Sequence, residues 1–185
     1  MLRRGFILLG VLLMIACSIP ETRIYSLQMP ADNNKAQVRK QAMITLKVQS
    51  PRYLAQPYIA HRLSPYQLEI SRYAKWDSAP VEMVREIFRD SLAVVYQDVR
   101  ASNLVTEGSF VLNIHLKRFE RVDDSYAELA FDAVLYSPEG RELYHIEEQK
   151  KVQIDTKDPA GVAKGLSNAL SESVQKVLAG LGSKI

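Results

Sequence analysis

Cys17 is the residue whose type and setting prescribe a covalent reaction. It is the only cysteine in 185 residues, and it closes the tetrad Met14-Ile15-Ala16-Cys17, which reads as a lipobox. In that chemistry the Cys17 thiol takes a diacylglycerol. Cleavage follows Ala16, and the new amino terminus is acylated as well. The preceding residues suit such processing. Met1 to Arg4 is a basic head and Gly5 to Ile15 an almost unbroken apolar run. A basic head, a short apolar core and a small residue at the cut form a secretory signal over residues 1–16. The run, at roughly a dozen residues, is well short of the ~20 that a spanning helix needs. Several acyl chains on one residue exceed the two-signal threshold for stable membrane anchoring. The plainer alternative is an ordinary signal peptide, or an uncleaved anchor, with an incidental cysteine.

Little else in the chain suggests reactivity. His61, His115 and His145 fall in three separate predicted strands, none near a candidate nucleophile. His115 with Asp132 opposite would make two-thirds of a triad, but a polar sheet face needs such residues anyway. There is no Gly-x-Ser-x-Gly, P-loop or Gly-x-Gly-x-x-Gly. Gly161 and Gly165 fit a small-residue face for close packing. A lone cysteine excludes an internal disulfide and a Cys/His zinc cluster, and Glu139 to Glu148 lacks the acidic spacing of a calcium loop. The expectation is a non-catalytic chain with no metal and no cofactor.

The charges are near balance: 24 Lys+Arg against 21 Asp+Glu, with Arg3 and Arg4 lost on processing. That balance, without a basic stripe, argues against nucleic acid. Residues 17–41 form the anchor and a leader, in which Arg23 to Leu27 alternates like a short strand and Pro30 to Asn34 is a turn. Residues 42–185 form a single domain. Met43 to Val48 reads as a buried strand with Ile44, Leu46 and Val48 on one face, ended by Pro51.

Pro57 to Trp76 is a hairpin turning at Ser64-Pro65. Asp77 and Ser78 are capping candidates before Pro80, and Val81, Val84, Phe88, Leu92 and Val95 extend an amphipathic helix to about Asp98. Three strands follow: Phe110 to Phe119, Tyr126 to Tyr136, and Arg141 to Ile154, the last with the poor alternation of a bulged or edge strand. Asp158-Pro159 starts a second helix with Gly180 beyond its end. The fold class is α+β: hairpin, helix, three-strand meander and helix, with both amphipathic helices on one face of a mainly antiparallel sheet. Asn113, His115, Lys117, Glu128 and Asp132 occupy the other face, kept wet by cross-strand ion pairs. Tyr53, Tyr58, Tyr66, Tyr73 and Trp76 cluster at the hairpin and suit either an interface or the core.

The stretch Leu46 to Phe88 resembles the PqiC-like family of ABC-type transport auxiliary lipoproteins. The likeness rests on Val48-x-x-Pro51-x-Tyr53-Leu54, the strand ending His61-Arg62, and Trp76 with Pro80 shortly after it. Tyr25-Ser26-Leu27 matches the aromatic-x-Leu that opens the family's mature domain. Met14 in the lipobox, the polar leader and three residues between Trp76 and Pro80 depart from the pattern. The resemblance implies an accessory role beside an inner-membrane transporter and a periplasm-spanning MCE-domain protein, moving phospholipid or another hydrophobic cargo. Ser18 after Cys17 resembles the sorting pattern for the outer membrane, with the domain facing the periplasm.

Tyr58, Arg62, Tyr66 and Trp76 are the expected docking residues, an arginine and aromatics of the kind that anchor interfaces. For Trp76 a core plug is the competing reading, and a homo-oligomer is compatible with the sequence. Other roles that fit are assembly or activation of a cell-wall synthase or lipopolysaccharide exporter, or direct carriage of a lipid.

Overall fold

A computed structural model describes residues 21–29 and 39–185. The signal, Ala16, Cys17 and the turn at Pro30 to Asn34 lie outside the described residues.

Two long strands form the spine: β6 (Phe110–Val122) and β7 (Tyr126–Tyr136). They pair antiparallel along their whole length, and β8 (Glu142–Gln153) pairs with β7 as the sheet's edge. The turn between β7 and β8 has Gly140 at φ 82°, a conformation that glycine adopts without strain.

Along the other side of β6, two strands lie end to end, both parallel to it. β2 (Lys40–Gln49) flanks Phe110 to His115, and β3 (Tyr58–Ser64) flanks Glu120 to Val122. Between them the chain leaves the ladder at Pro51, which has no N–H to offer. A 3-10 turn, Arg52–Ala55, drops Leu54 into the core. The outer row is β4 (Gln67–Trp76) antiparallel to β3, β1 (Arg23–Tyr25) parallel to β4, and β5 (Tyr96–Ala101) parallel to β2. Antiparallel ladders carry most of the paired residues, so the mainly antiparallel α+β expectation holds. β2 starts at Lys40, two residues before the expected domain boundary.

Helix α1 (Pro80–Val95) lies over β2 and β5, and α2 (Pro159–Gly182) over β7 and β8. Phe88 of α1 meets Phe131 of β7 edge-on, 5.7 Å between ring centres. That contact marks the helix side of the sheet. Phe131's partner Leu116 shares it, as do Leu112, Ile114, Ala133 and Leu135, all buried. A bulge between Leu116 and Arg118 resets the alternation, so that Phe119 and not Arg118 turns inward.

Three expectations need correction. Neither Asp77 nor Ser78 caps α1: Ala79 is the N-cap and makes no side-chain bond, while Pro80 supplies a preset φ in the first turn. The helix stops at Val95 instead of Asp98. Tyr96 is already extended (φ −115°, ψ 148°) and fully buried, so the chain passes from helix into β5 without a loop. Val94-Val95-Tyr96 is β-branched and aromatic, a run that favours extended backbone. Gly180 lies inside α2, where an added Cβ would come within 2.4 Å of the Tyr144 ring.

Asp158 caps α2 as expected, its carboxylate accepting from Gly161 N–H at 2.8 Å. That bond, then one from the Thr156 hydroxyl, holds the Asp158 carboxyl below its ordinary range. A Cβ on Gly161 would stand 2.1 Å from the Thr156 carbonyl oxygen. Gly161→Ala should therefore destabilise the protein by roughly 1–3 kcal/mol, as overpacked sites do, despite alanine's better helix propensity. A urea midpoint equal to or above the parent's would refute this.

Candidate docking face

Both helices cover one face of the sheet, so the opposite face is the place to look for partners. Pairing register shows which side chains share it. Ile24, Lys75 and Tyr58 form one row across β1, β4 and β3. Ile70, Ala60, Glu120, Glu128 and Lys151 form the next, and Leu68, Arg62, Val122 and Tyr126 the third. The meander half is ionic. The hairpin half is aliphatic and aromatic, with a lysine over a tyrosine ring: Lys75 Nζ lies 5.7 Å from the centre of Tyr58.

Glu120 and Glu128 stand directly opposite one another on β6 and β7, 1% and 3% exposed. Like charges in that position repel unless each has a cation. Arg62 reaches across from β3 and grips Glu120 with two parallel bonds, Nε to Oε1 and Nη2 to Oε2. Tyr53, on the 3-10 turn, donates its hydroxyl to Glu120 Oε2 at 3.0 Å. Burial, then the carboxylate's charge, pushes the Tyr53 hydroxyl far above the tyrosine range, so it remains a donor. The bond to Glu120 likewise raises the Arg62 guanidinium. Glu128 is held by Arg118 Nη1 at 2.9 and 3.0 Å and by Gln149 at 2.6 Å.

The expected wet face holds at His115 and Lys117, which are exposed, and at half-buried Asn113 and Asp132, and fails at Glu128. Glu128 is buried beneath its partners because Arg118 and Gln149 close over it. Behind the hairpin turn, Arg62, Arg118, Lys151, Glu128 and Gln149 help line a recess of about 380 Å³. Its charges pair off, so it does not select an anion.

The four expected docking residues separate. Tyr58 and Arg62 lie on the uncovered face, Tyr58 half-buried and Arg62 joined to Glu120, with Nη1 unbonded among the described residues. Tyr66, at the hairpin turn, is 98% exposed. Trp76 is 2% exposed on the helix side, its ring edge-on to Phe119 at 5.5 Å. Trp76 is a core plug, and as a docking residue it is a correction. Leu68 and Ile70 share the face and were not singled out in the sequence, where they look like ordinary strand residues.

The histidines do not converge. His61 Nε2 bonds the Asp123 carbonyl at 2.6 Å, and His145 lies 4.0 Å from Glu142. His115 does face Asp132 across the ladder, but Lys117 holds that carboxylate at 2.6 Å. Among the described residues no cluster of three His, Cys, Asp or Glu could hold a metal, and no helix is long and apolar enough to cross a membrane. The layer between helices and sheet is filled by Phe88, Phe131, Leu166 and Leu170, all fully buried. An acyl chain would have to rest in outer grooves such as that of about 240 Å³ between α1 and α2.

Comparison with known proteins agrees with this architecture. No curated protein matches the chain. Among solved structures, protein XCC0632 from Xanthomonas campestris is 18% identical, with 84% of this chain and 92% of that one aligned at a TM-score of 0.72. An uncharacterized protein at 15% identity covers 87% of this chain and 99% of its own length, with a TM-score of 0.66. Both likenesses speak to the fold alone. The sequence profile described as ABC-type transport auxiliary lipoprotein component matches residues 25–177. That span takes in β2 to β8, all of α1 and most of α2, and the chain belongs to the PqiC-like family of ABC-type transport auxiliary lipoproteins, which places it in the cell envelope.

Proposed function

We propose that the mature chain is a non-catalytic, outer-membrane-anchored periplasmic component of an MCE-type intermembrane lipid transport system. Lipid on Cys17 would hold it at the inner leaflet, and the uncovered hairpin face would dock the MCE-domain protein. The observation that carries this reading is membership of a family of transport auxiliary lipoproteins across nearly the whole mature domain. Support for the docking face comes from its chemistry: Tyr58, Leu68 and Ile70 offer apolar surface beside a lysine and an arginine. Aromatics and arginine are the residues that concentrate binding energy at interfaces.

Affinity capture of the native lipoprotein from envelope in mild detergent should bring an MCE-domain protein with it. Tyr58→Ser with Ile70→Ser should weaken that capture about tenfold, near 1.4 kcal/mol. Capture of a cell-wall synthase or lipopolysaccharide-export component instead, or of nothing, overturns the reading.

A further inference from the structure

The hairpin turn at Leu63 to Tyr66 holds the most exposed large hydrophobic side chain among the described residues. Tyr66 is 98% exposed and Leu63 39%, with Pro65 between them. Tyr66 N–H donates to Ser64 Oγ at 3.3 Å, a local bond that fixes the turn without covering either side chain. We propose that this turn rests in the headgroup region of the phospholipid leaflet that holds the Cys17 lipid, as a second, non-covalent membrane contact. The proposal rests on the lipid anchor of the preceding section.

Chain direction and tether length point to that occupant. β1 is parallel to β4, with Arg23 beside Ala74. β4 begins at the turn and ends at Trp76. The chain upstream of Arg23 therefore leaves the sheet on the side of the turn. Cys17 precedes Arg23 by only six residues, which reach at most about 20 Å however they run. From the Arg23–Ala74 level to the turn is about 17 Å, by the strand rise of β3. The anchor and the turn can thus stand at one level.

The residues at that level suit the boundary between headgroups and acyl chains. A tyrosine has an apolar body and a polar tip, which is why tyrosine concentrates at membrane interfaces. Leu63 adds a small apolar wedge. A weak contact suffices, because the anchor presents the turn to the leaflet at an effective concentration of order millimolar.

The test places an environment-sensitive fluorophore at Pro65→Cys in the mature lipidated chain. The vesicles are phosphatidylethanolamine and phosphatidylglycerol carrying a lipid-borne quencher near the headgroup. Leu104→Cys serves as control. It is 81% exposed, in the loop before β6, about 30 Å further along that strand. A parallel arm replaces Cys17 by a histidine tag joined to Ser18 and uses nickel-chelating lipid, so the tether length is kept whether or not Cys17 carries lipid.

Quenching at position 65 should exceed that at 104 several-fold in both arms, and Tyr66→Ser should remove most of the difference. Equal quenching at the two positions overturns the proposal. So does protection of position 65 only when an MCE-domain protein is added, which would make the turn a protein contact. Failure of the lipidated arm alone to bind vesicles refutes the anchor and leaves the tagged arm to decide the turn.

Discussion

Replacing Arg62 with alanine should lower the free energy of unfolding by about 3–5 kcal/mol, the cost of leaving a buried charge without its partner. Glu120 is 1% exposed and faces Glu128 across the ladder. Arg118 and Gln149 are already committed to Glu128, so no cation among these partners is free to replace Arg62. Tyr53 would remain as a single donor to Glu120, which sets the loss nearer the lower figure. With a urea slope of roughly 1–3 kcal/mol per molar, a 3 kcal/mol loss moves the midpoint by at least about 1 M.

The decisive control is Glu120→Gln in the Arg62→Ala background. It removes the orphaned charge and should recover a large part of the loss, a coupling that a double-mutant cycle reads directly. Additive effects of the two substitutions would mean that the pair is not what holds this corner. The result also bears on function, because a fall in docking with Arg62→Ala alone would not distinguish a lost contact from a loosened hairpin. Tyr58 and Ile70, which hold no buried charge, are the cleaner probes of the face.

Particular residues explain why some of this was legible in the chain and some was not. Two-residue alternation from Leu112 to Leu116 and from Leu129 to Leu135 reveals β6 and β7, because a half-buried strand must alternate. Beyond Leu116 the next core residue is Phe119, three positions on instead of two. That step is the bulge, and alternation read by eye passes over it. The bulge puts Glu120 on the uncovered face opposite Glu128, so the buried acid pair was out of reach until the register was known.

β5 was hidden for a different reason. Val95 continues the helical spacing of α1, and the strand that Tyr96 opens is completed by its pairing with β2, which is distant in sequence. Gly165, by contrast, was legible as packing: a Cβ there would come 3.1 Å from Ala127. The aromatic cluster around the hairpin could be counted from sequence but not sorted. Tyr66 and Trp76 lie at opposite extremes of exposure, and only strand register and the helix side separate them.

Trp76 gives the second large effect, and it tests that sorting. Trp76→Ala should cost about 3–5 kcal/mol, the range for deleting a large buried aromatic, since the indole packs edge-on against Phe119 beneath the end of β4. Its Nε1 is buried without a hydrogen-bond partner among the described residues. Trp76→Phe keeps a ring against Phe119 and removes an unsatisfied donor. It should therefore cost much less than the alanine change, within about 1.5 kcal/mol for a swap that preserves most of the volume. As Trp76 is the only tryptophan, its emission in the parent should be that of a buried indole, resistant to aqueous quenchers until the unfolding transition. A docking tryptophan would behave in the opposite way. Its alanine variant would keep the parent's urea midpoint, lose the partner, and have emission open to quenchers in the free protein. Observing that pattern would return Trp76 to the surface and undo the division of the hairpin into a buried side and a docking side.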